Sequence, residues 1–197
     1  MEYSDNLLKS ANELFLKKRF KQAIPIYEKI LESDPNNLDA INNKGYALSK
    51  SEDYQSAINC YDTGLKNNPN EETLLINKIS ALRKMKILDS ALNNCNIILN
   101  SNPDNLIVLY HKLRILHELK EFDESLKICD KILTLYPNNG DVLFDKAINL
   151  ALLDKNEGSI ESLDAAIKIS NKFKVKAKNN KSFKKLGKNQ NFKKLVE

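Results

Sequence analysis

Apolar residues recur along the chain at helical spacing, and the helical segments themselves recur every 34 residues. Between Leu38 and Glu71, Ile41, Gly45 and Leu48 fall at i, i+4 and i+7, which places them on one face of a helix. A polar break follows at Ser51-Glu52-Asp53, and Tyr54, Ala57, Tyr61 and Leu65 then resume the helical spacing until Pro69 closes the unit. The same residue types return one period away on either side. Pro35, Pro69, Pro103 and Pro137 keep the interval, and Phe20, Tyr54, Leu88 and Phe122 open the second half of each unit. Ala23, Ala57 and Ala91 hold a small-residue position that Ser125 and Ser159 continue, with Tyr27, Tyr61, Cys95, Cys129 and Leu163 four residues on. A fixed period in this range marks a repeat architecture rather than one globular core.

The pattern predicts helices over 4–17 and 20–33, then pairs at 39–50 with 54–67, 72–84 with 88–101, 106–119 with 122–135, and 140–153 with 156–170. Asp5 sits near the positive end of the first helix. Pro25 falls in the early turns of the second, where its missing N–H matters least. Asp34-Pro35-Asn36-Asn37 ends one helix and offers Asn37 as a cap for the next, and the prolines at 69, 103 and 137 repeat that logic. Alternating apolar and polar runs are absent, so no sheet is expected.

Residues at these positions resemble the tetratricopeptide repeat. Its helix-turn-helix pattern is similar to Leu7, Ala11, Leu14, Ala23, Tyr27 and Pro35 in a first unit, and to Ile41, Gly45, Leu48, Ala57, Tyr61, Gly64 and Pro69 in a second. Ile79 and Leu113 stand where the family usually has Gly or Ala, and Asn171 replaces the last proline. The resemblance implies an all-α, right-handed superhelical solenoid. It divides 4–173 into five repeats (4–37, 38–71, 72–105, 106–139 and 140–173) and leaves 174–197 as a capping helix or tail.

Charge changes the picture at that end. From Lys172 onward ten lysines and one acid, Glu197, give a net +9, against +5 for the whole chain, so the preceding residues carry −4. Phe173, Phe183, Leu186, Phe192 and Leu195 run through the lysines at helix-like intervals. A cap covers the apolar face that the last repeat of a stack would expose. The alternative is a basic arm for RNA or an anionic surface, since clustered lysines give salt-sensitive affinity without sequence preference.

Candidate chemistry is sparse. There is no Gly-rich phosphate loop and no serine elbow. His111 and His117 are six apart and so lie on different sides of a helix, whereas a helical metal pair needs i, i+4. Cys60, Cys95 and Cys129 show no paired spacing and read as reduced core thiols. No enzyme activity, metal or cofactor is expected. No stretch of eighteen apolar residues occurs, and the N-terminus lacks a basic region followed by an apolar one. Neither a membrane span nor secretion is expected, and a cytoplasmic protein is. Lys44, Lys78, Lys112 and Lys146 recur at the period, and their stems are expected to lie on the neighbouring repeat with the charge in water.

The family resemblance implies a groove lined by the first helix of each repeat. Carried onto this chain, its groove positions include Asn12, Asn42, Asn43, Tyr46, Asn77, Tyr110, His111, Arg114 and Phe144, with Lys9, Arg83, His117 and Asp145 beside them. Amides can pair with the backbone of an extended peptide, aromatic rings offer rigid apolar area, and Arg114 offers a fork for a carboxylate. The family's two-carboxylate clamp is matched at Asn12 and Asn43 only, since Leu8, Thr73 and Asn77 replace its cations. The expected function is a protein-interaction scaffold whose groove takes a peptide or partner protein of unspecified identity.

Overall fold

The computed structural model describes residues 2–197, with side chains from Asn6 onward, so the Asp5 side chain lies outside the described residues. It contains twelve α-helices and one 3₁₀ helix and no strand among the described residues. The chain forms two compact units, one ending at His111 and the other spanning Lys112–Glu197. The first contains α1 (Glu2–Leu16), α2 (Phe20–Ser33), α3 (Leu38–Lys50), α4 (Tyr54–Asn67), α5 (Glu72–Lys84) and α6 (Leu88–Ser101). Helix α7 (Leu106–Glu118) runs through the boundary. The second unit continues with α8 (Phe122–Leu135), α9 (Gly140–Leu152), α10 (Asn156–Ile169) and α11 (Lys172–Asn179), then the 3₁₀ helix Lys181–Lys188 and α12 (Gln190–Val196).

From α2 to α6 each helix packs on the one before it, and α3 also touches α1 and α5. This follows from the small-residue register. Ala23, Ala57, Ala91, Ser125 and Ser159 are all fully buried, as are Tyr27, Tyr61, Cys95, Cys129 and Leu163 four residues later. A small side chain lets the two helices of a pair approach, and the larger one fills the space beside it. The two serines need partners that alanine does not. Ser125 Oγ accepts from Asn149 Nδ2 at 2.7 Å, and Ser159 Oγ donates to the Ala147 carbonyl at 2.7 Å.

The helix ends are set by local hydrogen bonds. Asn37, Asn105 and Asn139 cap α3, α7 and α9, their side-chain oxygens accepting from Ala40, Val108 and Val142 N–H at 3.0–3.2 Å. At the equivalent place before α5, Glu71 does this work instead, accepting from Thr73 N–H at 3.4 Å. The stops carry a second periodicity. Lys18, Glu52, Lys86, Lys120 and Asp154 all have positive φ, between 57° and 67°, and no glycine does. The residue after each one donates its N–H to a leucine carbonyl five residues back: Leu14, Leu48, Leu82, Leu116 and Leu150, at 2.8–3.0 Å. A left-handed residue of this kind closes a helix and turns the chain for the next.

The lysine ladder is more than stems on a neighbour. Lys44 pairs with Glu28 at 3.1 Å, Lys78 with Asp62 at 2.5 Å and Lys146 with Asp130 at 2.6 Å, each acid sixteen residues back on the preceding helix. The acids are half-exposed, so each pair contributes only about 0–1 kcal/mol.

In the second unit, 172–197 is neither a single helix nor a free arm. Helix α11 packs on α10, the 3₁₀ helix folds back on α9, and α12 touches both α11 and α10. Phe144, Phe173, Phe183 and Phe192 form one connected set of rings with centroid separations of 5.4–5.9 Å. All four are buried in the core of this unit, together with Leu186 and Val196. The segment shares the core of α9 and α10.

The closest approach in the first unit yields a prediction. A Cβ built on Gly45 would land on the ring of the fully buried Tyr61, 2.4 Å from its nearest ring carbon. Gly45→Ala should therefore cost about 1–3 kcal/mol in chemical denaturation. Gly187→Ala, where a Cβ meets nothing within 4 Å, should melt with the parent and serves as the control.

Candidate functional site

In the first unit the predicted amides lie on α1, α3 and α5 and hydrogen-bond to one another. Asn43 Nδ2 donates to Asn12 Oδ1 at 3.0 Å, Asn42 Nδ2 to Asn43 Oδ1 at 3.2 Å, and Asn77 Nδ2 to Asn42 Oδ1 at 2.7 Å. Tyr27 OH, from α2, donates to Asn12 Oδ1 at 2.7 Å and closes the row. Burial pushes the Tyr27 phenol up to about 12, opposed by the Asn43 amide beside it. Asn12 Oδ1 therefore has both lone pairs occupied. Each of the other amides keeps donor or acceptor capacity, since a side-chain amide offers two N–H groups and two lone pairs. The row fixes the amides in one orientation while they stay half-exposed.

Tyr46 extends this surface. Its ring sits 5.2 Å from Phe15 and 6.1 Å from Phe20, and the Lys50 ammonium lies 4.9 Å from its centroid. Beside Tyr46 a recess of about 380 Å³ opens between the C-terminal halves of α3 and α5. Tyr110 and His111 are half-buried at the end of this unit, and Lys9 is exposed on α1. The sequence reading missed Ser49, Lys50, Ser80 and Lys84, which line the recess. Their spacing from Tyr46 and Asn77 along the same helix faces was the available signal.

In the second unit the same positions hold different chemistry. His117 Nδ1 is 2.8 Å from Asn149 Oδ1, and Asn149 passes its own N–H to Ser125 Oγ, so His117 carries its proton on Nδ1. Asp145 is largely covered. Desolvation raises its carboxyl above the usual range, and that outweighs the opposing charges of His117 and Arg114. Arg114 itself is exposed. Phe144 is a correction: it is 6% exposed and stacked on Phe173 at 5.4 Å, so its ring belongs to the core of this unit and faces no groove.

Burial of the rings also bears on the lysine-rich end. Phe173, Phe183 and Phe192 are at most 6% exposed and offer no ring for base stacking. Lys172 and Lys176 pair with Asp141 at 3.2 and 3.4 Å, and Lys185 pairs with Asp154 at 2.7 Å. Among the described residues, no group of three or more His, Cys, Asp or Glu could hold a metal ion, and no helix is long and apolar enough to cross a membrane. The cysteines are unpaired by disulfides, and burial pushes the Cys60 and Cys129 thiols up to about 11 and about 12.

Two family models match the chain, both described as tetratricopeptide repeat, over residues 14–75 and 107–139. No curated protein matches it. Among solved structures, MamA from Desulfovibrio magneticus RS-1 superposes with a TM-score of 0.82 at 16% identity, covering 87% of this chain and 97% of that one. A further MamA structure gives 0.80 at 16% identity, covering 91% and 96%. YrrB, a TPR protein with an unusual peptide-binding site, gives 0.76 at 21% identity, covering 88% and 91%.

Two expected outcomes follow from this geometry. Asn12→Ala removes the acceptor for both Tyr27 OH and Asn43 Nδ2 and should cost about 1–3 kcal/mol by urea unfolding. Asn77→Ala, at the end of the row, should cost less. Asp145→Asn should stabilise the protein at neutral pH. A raised folded-state value means that Asp145 contributes stability below its unfolded value and loses it as pH rises through the folded one. The gain from Asn should therefore shrink as pH falls through the raised folded value toward about 4, the ordinary aspartate value, and be lost below it, and thermal melts across pH 3–8 would show it.

Proposed function

The chain belongs to the tetratricopeptide repeat family, and on that premise we propose that it is a non-catalytic protein-interaction scaffold that takes an extended peptide along α1, α3 and α5. The observation that carries this reading is the row of asparagines on these three helices, held by one another and still able to bond a ligand. An extended peptide presents N–H and C=O groups at regular intervals and needs partners of both kinds when water is displaced. Amides supply both from one side chain, and their fixed orientation lowers the ordering cost of binding. Tyr46 gives a rigid apolar surface beside them, already immobilised between Phe15, Phe20 and Lys50. YrrB lends support as a protein of the same fold with a peptide-binding site. Cytoplasmic placement fits a scaffold of this kind.

The test is a set of peptides selected on the full chain from a random display library and titrated by fluorescence anisotropy. Asn43→Ala/Asn77→Ala should bind them at least about tenfold more weakly than the parent, with folding checked by circular dichroism. Equal affinities would place the binding surface elsewhere on the molecule.

A further inference from the structure

Residues 172–197 hold ten lysines, one acid and no arginine. The fold neutralises three of the lysines, since Lys172 and Lys176 pair with Asp141 and Lys185 pairs with Asp154. Lys178, Lys181, Lys184, Lys188, Lys193 and Lys194 are exposed and form no ion pair. They share the outward side of the segment because its other side is packed. Residues three apart eclipse in a 3₁₀ helix, so the buried Phe183 and Leu186 make one row and the lysines fall in the two rows flanking it. In α12, Phe192 and Val196 face the core and leave Lys193 and Lys194 outward.

Helix α11 adds an apolar group to this surface. Phe173 and Ala177 are buried one turn apart. Val175 lies midway between them in sequence and so on the opposite face of the helix, where it is 60% exposed between lysines. A valine therefore occupies the side of α11 turned away from the core.

The composition of this surface selects among anionic partners. Bidentate recognition of a single phosphate uses the arginine fork, and the segment has none. Base stacking needs exposed rings, and Phe173, Phe183 and Phe192 are buried. Lysine is a compact point charge on a flexible stem, suited to a field of anions more than to one ligand. A bilayer surface offers such a field and meets all six ammonium groups without first being ordered, as a flexible acidic chain would have to be. Its headgroup layer also gives Val175 an apolar boundary to enter. Residues 1–171 carry −4 of the chain's +5, so the positive excess that turns the protein toward such a surface sits in this segment.

We propose that the outward side of 172–197 docks on an anionic lipid bilayer, with the six unpaired lysines among the headgroups and Val175 at the acyl boundary. Clusters of about four to eight lysines bind such surfaces, each added charge strengthening the attachment and salt weakening it. The attachment is reversible and independent of the peptide-scaffold reading.

The test is sedimentation of the full chain with vesicles of phosphatidylcholine alone and of phosphatidylcholine mixed with phosphatidylserine. The mixed vesicles should bind at least about tenfold more tightly, and the difference should vanish as salt rises from about 0.1 M to about 0.5 M. Lys181→Gln/Lys184→Gln/Lys188→Gln should weaken binding at least about tenfold. Lys29→Gln/Lys66→Gln/Lys84→Gln removes the same charge from exposed positions outside the segment and should change it less than about twofold. Val175→Ser should weaken binding about threefold at low salt. All three variants alter exposed side chains, and circular dichroism checks that each keeps its fold. Equal binding to neutral vesicles, equal losses from the two lysine triples, or a Val175→Ser protein that binds as the parent does would overturn the proposal. So would release of the protein from the mixed vesicles by duplex RNA or poly-glutamate at a matched concentration of charge.

Discussion

Everything in this fold depends on one constraint: two helices must approach closely at a small residue, once per 34 residues, with a large side chain filling the space beside it. Gly45 against the Tyr61 ring is the tightest case, since a single added Cβ would meet the ring. Gly64 shows the same constraint at the next seam, where a Cβ would lie 2.6 Å from Leu74 and 3.0 Å from Ile41. Each repeat buries its apolar face only against its neighbours, so the spacing of these approaches cannot drift. The buried positions recur without a break from Ala23 to Ser159 because any slip would turn a polar face inward. Where the small residue becomes serine, the added hydroxyl is tolerated because Asn149 or the Ala147 carbonyl lies within reach.

The same strictness explains why the helix positions could be read from the sequence. Most predicted boundaries from residue 20 onward agree with the structure to within one residue, because prolines, asparagine caps and the apolar stripe all point to the same places. Less legible were features that depend on which neighbour meets which side chain. Glu71 takes the cap at a position where the other repeats use asparagine. The left-handed residues at Lys18, Glu52, Lys86, Lys120 and Asp154 left no glycine to mark them. A lysine, a glutamate or an aspartate there looks like any solvated residue, and only their even spacing hints at a shared backbone role.

Site residues were legible to a lesser degree, and the reason is physical. Periodicity tells which face of a helix a residue occupies, but not what later covers that face. Phe144 sits at the same register as Asn42 and Tyr110, yet the chain returns over α9 and buries its ring with Phe173 and Phe183. The apolar residues among the lysines of 172–197 pointed to a packed segment, but not to a 3₁₀ helix folded back onto α9. In the first unit the register did bring Asn12, Asn42, Asn43 and Asn77 together. Its consequence, that the amides bond one another before any ligand arrives, required their distances.

Preorganisation is what links these amides to recognition. An unrestrained asparagine on a helix surface samples several rotamers, and a ligand must freeze it at a cost in entropy. Here α1, α3 and α5 are already packed, so the cost of ordering the amides is met during folding, when the helices come together. The row also transmits orientation. Tyr27 is buried and fixed, it fixes Asn12, and each amide in turn restricts the next as far as Asn77 at the edge of the recess. A network of this kind is sensitive to any missing member, because each lost bond leaves a half-buried polar group facing another. In the first unit the row's own hydrogen bonds set the geometry that a ligand meets.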